Sequence, residues 1–166
     1  PAEPSAVVLE YYRHMAAGEF EEAYNMVNAA DRAARPVEEF VAAAGNPLQH
    51  AIIKQRTYEI KDTNIVGDTA KVSLGSTGPD IAKLQSMVVN DLLKENPQKP
   101  SAEALKARMM EWIAKPEAPK IVTAQQVFLV REEEQWRLDF DWDVENALRD
   151  VPVQQRTTPD AGDPAE

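Results

Sequence analysis

The chain contains no cysteine, which excludes a disulfide framework, a thiolate nucleophile and a thiolate metal site, and leaves the redox compartment open. Histidine is scarce: His14 and His50 are the only two, and neither has a second histidine or an acid at a recognised ligand spacing. No metal and no cofactor is expected. Positive charge is also short, with 18 Lys and Arg against 28 Asp and Glu for a net charge of −10, and the basic residues are scattered. Nucleic acid is therefore not an expected partner, because neutralising phosphates requires clustered cations. An anionic membrane surface is disfavoured on the same ground. No apolar run approaches the roughly 18–20 residues of a membrane-spanning helix; the longest are pieces such as Val127–Val130.

With 166 residues, 43% of them hydrophobic, the chain can bury one core but not two of ordinary size. Residues 1–150 are read as one domain. Residues 151–166 are dominated by Pro, Gln, Thr, Asp, Gly and Glu, too polar to offset the entropy of ordering, and are read as a flexible acidic tail.

Periodicity predicts three short helices at the start. Ser5 is placed to cap the first, with Val8, Tyr11, Tyr12, Met15 and Ala16 on one stripe and Gly18 as its stop. Glu19–Ala30 repeats the pattern through Phe20, Ala23, Tyr24 and Val27, and Pro36 opens a third helix, Val37–Ala44, closed by Gly45-Asn46-Pro47. The period then changes to two. Ile52–Ile60 is β-branched and aromatic, and Ala70, Val72 and Leu74 alternate with polar residues after a Gly67-Asp68 turn, which predicts a β-hairpin. Gly75–Pro79 reads as a break. Two further helices follow, one marked by Ile81, Leu84, Val88 and Leu92, the other capped by Ser101 and ended at Pro116. A closing hairpin is predicted from Thr123–Arg131, a turn through Glu132–Gln135 and a return strand Trp136–Trp142. On that strand Trp136, Leu138, Phe140 and Trp142 would share a core face, and Asp139, Asp141 and Asp143 would form an acidic row on the other. The class is α+β, with N-terminal helices packed on a curved antiparallel sheet.

This order resembles the nuclear-transport-factor-2-like cone. Val7-Val8-Leu9-Glu10-Tyr11-Tyr12 followed by Ala17-Gly18-Glu19-Phe20 is similar to the first two helices of such domains, and Gly67-Asp68-Thr69-Ala70-Lys71-Val72 to one of their strands. Val127–Val130 with Gln135-Trp136-Arg137-Leu138 is similar to their closing hairpin. The resemblance covers residues 5–75 and 121–143, is nearest to small domains of bacterial lipoproteins, and implies a periplasmic or cell-envelope location. Pro1-Ala2-Glu3, which does not begin with methionine, is consistent with a removed leader, and equally with loss of an initiator methionine before a small residue. Residues 79–119 stand as a helical insertion in the resembled fold.

Ketosteroid isomerases share that fold. Their chemistry needs a carboxylate base and an oxyanion hole built from a tyrosine and a protonated acid. Tyr11 falls where the resemblance places the tyrosine, but Gln125 and Gln126 stand where the acid is expected, and Asp31-Arg32-Ala33-Ala34-Arg35-Pro36 leads into a helix. No catalytic set is assigned. Two functions are carried forward. The first is a non-enzymatic accessory domain that binds another protein, a second copy of itself included, through Met87, Met109, Met110 and Trp112 of the insertion or through Asp139, Asp141 and Asp143. The second is a pocket for a small apolar molecule lined by Tyr11, Tyr12 and Trp142.

Overall fold

In the computed structural model, which describes residues 2–149, five helices precede the sheet. The predicted tail, 151–166, lies outside the described residues. Helix α1 (Pro4–Ala17) starts one residue before the predicted cap, with extended Glu3 at the N-cap and Pro4 in the first turn, where its missing N–H costs nothing. It stops at Gly18, whose φ of 79° lets its N–H reach back to His14 and Met15 carbonyls.

The single helix expected over 19–30 is two, α2 (Phe20–Tyr24) and α3 (Ala29–Ala34). The intervening residues serve the sheet: Leu138 N–H donates to Met26 O (3.0 Å) and Asn28 N–H donates to Leu138 O (2.8 Å). Asn28 then caps α3 by accepting from Asp31 N–H at 2.8 Å. Helix α4 (Val37–Ala44) follows as predicted. Helix α5 (Pro47–Lys54) corrects the strand expected from Ile52: Asn46 accepts from the Leu48 and Gln49 N–H groups, Pro47 fills the first turn, and helical spacing overrides β-branched propensity.

The sheet is β1 (Thr57–Val66), β2 (Thr69–Pro79), β3 (Lys120–Glu132) and β4 (Gln135–Asp139), antiparallel in the order β1-β2-β3-β4. Gly67, at φ 58°, makes the two-residue β1–β2 turn. The expected break at 75–79 is instead strand, paired from Gly75↔Ala124 to Pro79↔Lys120. Glycine at 78 serves a close approach, since a Cβ there would lie 2.7 Å from Arg56 Cγ.

Helices α6 (Ile81–Glu95) and α7 (Ala102–Ile113) lie between β2 and β3, capped by Asp80 and Ser101. The main core sits between the sheet's inner face and α1, α2 and α4, around Val8, Val72, Leu74, Leu129 and Leu138. A second cluster joins Ile52 of α5 to Leu84, Val88, Met109 and Ile113.

The return strand is shorter than predicted. It ends at Asp139, and α8 (Trp142–Arg149) begins three residues on. Trp136, Leu138 and Trp142 are buried as expected, although Trp142 reaches the core from a helix. The acidic row does not exist, because Asp139 ends the strand, Asp141 is in the left-handed region at φ 56°, and Asp143 is an exposed residue in the first turn of α8. The cause is Asp31. Fully buried, it accepts the Phe140 and Trp142 N–H groups, each at 2.7 Å, one on each carboxylate oxygen, and so turns the chain out of the strand.

Candidate functional site

The interior beneath the sheet is occupied by rings. Tyr11 is buried and lies 5.4 Å from Phe140, which stacks on Trp142 at 5.3 Å; Trp142 in turn meets Phe40 at 5.7 Å. Tyr12 stacks on Tyr58 at 4.0 Å and 11°, and its hydroxyl accepts from Gln125 Nε2 at 3.1 Å. Burial holds the Tyr11 hydroxyl well above the ordinary tyrosine range, and it pushes Tyr12 up to about 12. Both stay protonated at neutral pH. Asp31 has both oxygens committed to backbone N–H groups, which leaves it poorly placed to act as a base. Tyr11, Tyr12 and Trp142, the predicted pocket residues, are thus brought together in one aromatic cluster.

Open space lies elsewhere. A wide groove of about 710 Å³ runs between α4, α5 and α7, lined by small residues such as Ala42 and Ala43 with Asn46, Ile53 and Lys106 at its sides. A more enclosed one, about 370 Å³, lies on the outer face of the sheet. Strand register builds it. Asn64, Lys71, Phe128 and Asp139 form one row across the four strands, and Val66, Thr69, Val130 and Arg137 form the next. Side chains directly opposite share a face. The faces are told apart by Val72 and Val127, which lie opposite each other and are both buried.

The result is an apolar floor of Val66, Phe128 and Val130 with Lys71 on one side and Asp139 and Asp141 on the other. Val66 is 69% exposed and Phe128 48%, and because both line the same groove they form apolar surface that is grouped and not scattered. Asp139 is half-buried, and desolvation raises its carboxyl pKa, opposed by the hydrogen bond it accepts from Asp141 N–H at 3.2 Å. Asp141 is placed by constraint. Its unfavourable φ sits between the two residues gripped by Asp31.

The insertion residues have a different setting. Met109 is buried in the second cluster, Trp112 packs against that cluster, and Met87 and Met110 are half-buried. Leu48, Ala51 and Ile52 of α5 cover the apolar stripe of the α6–α7 hairpin, so most of it is internal packing. Sequence reasoning passed over Val66 and Phe128 as site residues; Phe128 alternates with buried Val127 and Leu129, and that alternation was the available signal. Asp31 offered none, because its partners lie 109 and 111 residues away.

No family profile and no curated protein matches the sequence. Among solved structures, one that is similar is a "putative lipoprotein (ycdA)" from Bacillus subtilis, at 18% identity and a TM-score of 0.38 over 87% of this chain and 46% of that one. The chain spans less than half the length of that protein. Among the described residues no helix is long and apolar enough to cross a membrane.

Proposed function

We propose that the chain is a non-enzymatic accessory domain that holds a protein partner against the outer sheet face, with Phe128 as the apolar anchor and Asp139 and Asp141 as the charged rim. The observation that carries this reading is the apolar floor of exposed Val66 and Phe128 with half-buried Val130, bordered by the two carboxylates. Such a groove suits a segment with one large apolar side chain flanked by Lys or Arg. We also read the chain as a nuclear-transport-factor-2-like cone of the bacterial envelope, with residues 79–119 as an insertion. The support is the order of helices, hairpin and closing strands, together with the Val7–Tyr12 and Gly67–Val72 wording.

Pull-down from an envelope extract, followed by binding of the purified partner, tests the site. Phe128→Asp should weaken binding by about 30-fold or more, the loss typical of a buried aromatic anchor. Asp139→Asn with Asp141→Asn should weaken it less and flatten its salt dependence. Replacing Asp80–Glu117 by a short turn should leave binding intact. Loss of binding in that deletion, with Phe128→Asp unaffected, would move the site to Met87, Met110 and Trp112.

A further inference from the structure

The sheet has three places where a strand edge lacks a neighbouring strand, and they differ in how they are closed. The outer edge of β4 is covered by Met26–Asn28, which exchange backbone hydrogen bonds with Leu138. The outer edge of β1 carries a register irregularity at Ile60/Asp62 and the charged residues Glu59, Lys61 and Asp62. A bulge and charge are both devices that prevent strand addition. The third place is the first half of β3. Strand β4 pairs only from Phe128 to Glu132, so Lys120–Val127 has β2 on one side and no strand on the other among the described residues. Residues 120–126 are all exposed, with Val122 at 71%. From Ile121 to Val130 there is no charge, proline or glycine.

Register fixes which groups face the opening. Leu138 uses its N–H and C=O on Asn28 and Met26, so Leu138↔Leu129 is a non-hydrogen-bonded pair, and Phe128 and Val130 bond to β4. Alternation along β3 then turns the N–H and C=O of Gln126, Ala124 and Val122 to the open edge.

From these features we infer that the chain forms a two-fold dimer by antiparallel pairing of this edge with its counterpart in a second copy, joining the two sheets into one. Three observations favour a second copy over a foreign strand. The window is bounded by Pro119 at one end and by β4 at the other, so its length matches the segment that a copy of itself would supply. Apart from Lys120 at its end it carries no charge, in a chain whose net charge is −10, so two copies meet there with little repulsion. Pairing centred on Thr123 sets Lys120 of each copy opposite Gln126 of the other. That is two residues, roughly 7 Å, from Phe128 and its neighbour Asp139 on the same outer face, so a Lys120–Asp139 ion pair can form twice.

Sedimentation equilibrium tests this dimer. The wild-type chain should sediment as a dimer. Ala124→Pro should sediment as a monomer with unchanged far-ultraviolet circular dichroism, since it removes an N–H aimed at the open edge and none of the β2 ladder. Ala124→Lys, which opposes like charges across the two-fold, should also be monomeric and guards against a folding defect in the proline variant. Phe128→Asp, which alters the groove and not the edge, should remain a dimer. A monomeric wild type, a dimer that survives both Ala124 variants, or one that Phe128→Asp also dissociates overturns the proposal.

Discussion

Asp31 shows how one buried carboxylate can decide the shape of a surface it never reaches. By accepting from Phe140 and Trp142 N–H it ends β4, holds Asp141 at φ 56° and so positions the acidic rim of the outer groove. Asp31→Ala would leave two buried N–H groups without an acceptor and should cost about 2–4 kcal/mol in urea unfolding. The pH dependence has a definite sign. Burial is the largest influence on the carboxyl and raises its pKa above the ordinary value, so the folded state binds this proton more tightly than the unfolded chain. The contribution is greatest below the unfolded value of about 3.9 and is lost as pH rises through the raised folded value. The stability difference between wild type and Asp31→Asn should therefore shrink as pH rises just above about 4. A difference that grows over that window would contradict the assigned cause. Nothing in the sequence around Asp31-Arg32-Ala33 marks this role, because the groups it serves are distant in the chain.

At the scale of elements, the boundaries follow local chemistry where a cap or a turn residue is present. Gly18, Ser101 and the Gly67-Asp68 pair act as their residue types predict. Periodicity is overridden by a long-range partner at residues 26–28, which leave the helical pattern to seal β4, and by a local cap at Ile52, which joins α5 because Asn46 and Pro47 start a helix ahead of it. The β3–β4 turn runs against its own residues. Glu133 and Glu134 have φ of 49° and 64°, a geometry that favours Asn-Gly and costs an ordinary residue about 1–2 kcal/mol. Combining Glu133→Asn with Glu134→Gly should raise stability by about that amount, read from the denaturation midpoint. An unchanged or lower midpoint would mean that the two glutamates are relieved in another way.

On the scale of the whole molecule, the two apolar clusters touch different sets of elements. The main one is shared by the sheet and the N-terminal helices, while the second ties α6 and α7 to the chain through α5. Hydrogen exchange should reflect this, with amides of α6 and α7 opening at lower free energy than those of β2 and β3. Leu84→Ala should lower protection in the hairpin first and leave the sheet nearly unchanged; equal loss in both would show a single cooperative unit. The α+β class and the core face of the closing hairpin were legible in the sequence because they rest on alternation and helical spacing. The outer groove was not, since it depends on which residues four strands bring side by side.

The seal on β4 also bears on how the chain reaches this fold. Met26–Asn28 and Asp31 meet Leu138, Phe140 and Trp142 across 109 to 111 residues at the Asp31 contacts. Closing so long a loop is entropically costly and slow. During synthesis the N-terminal helices emerge with the Asp31 carboxylate, the Met26 carbonyl and the Asn28 N–H without these partners, and they stay so until nearly the whole described chain has been made. The core can therefore be completed only late, after translation of β4, and until then the unpaired strands remain open to the wrong neighbours.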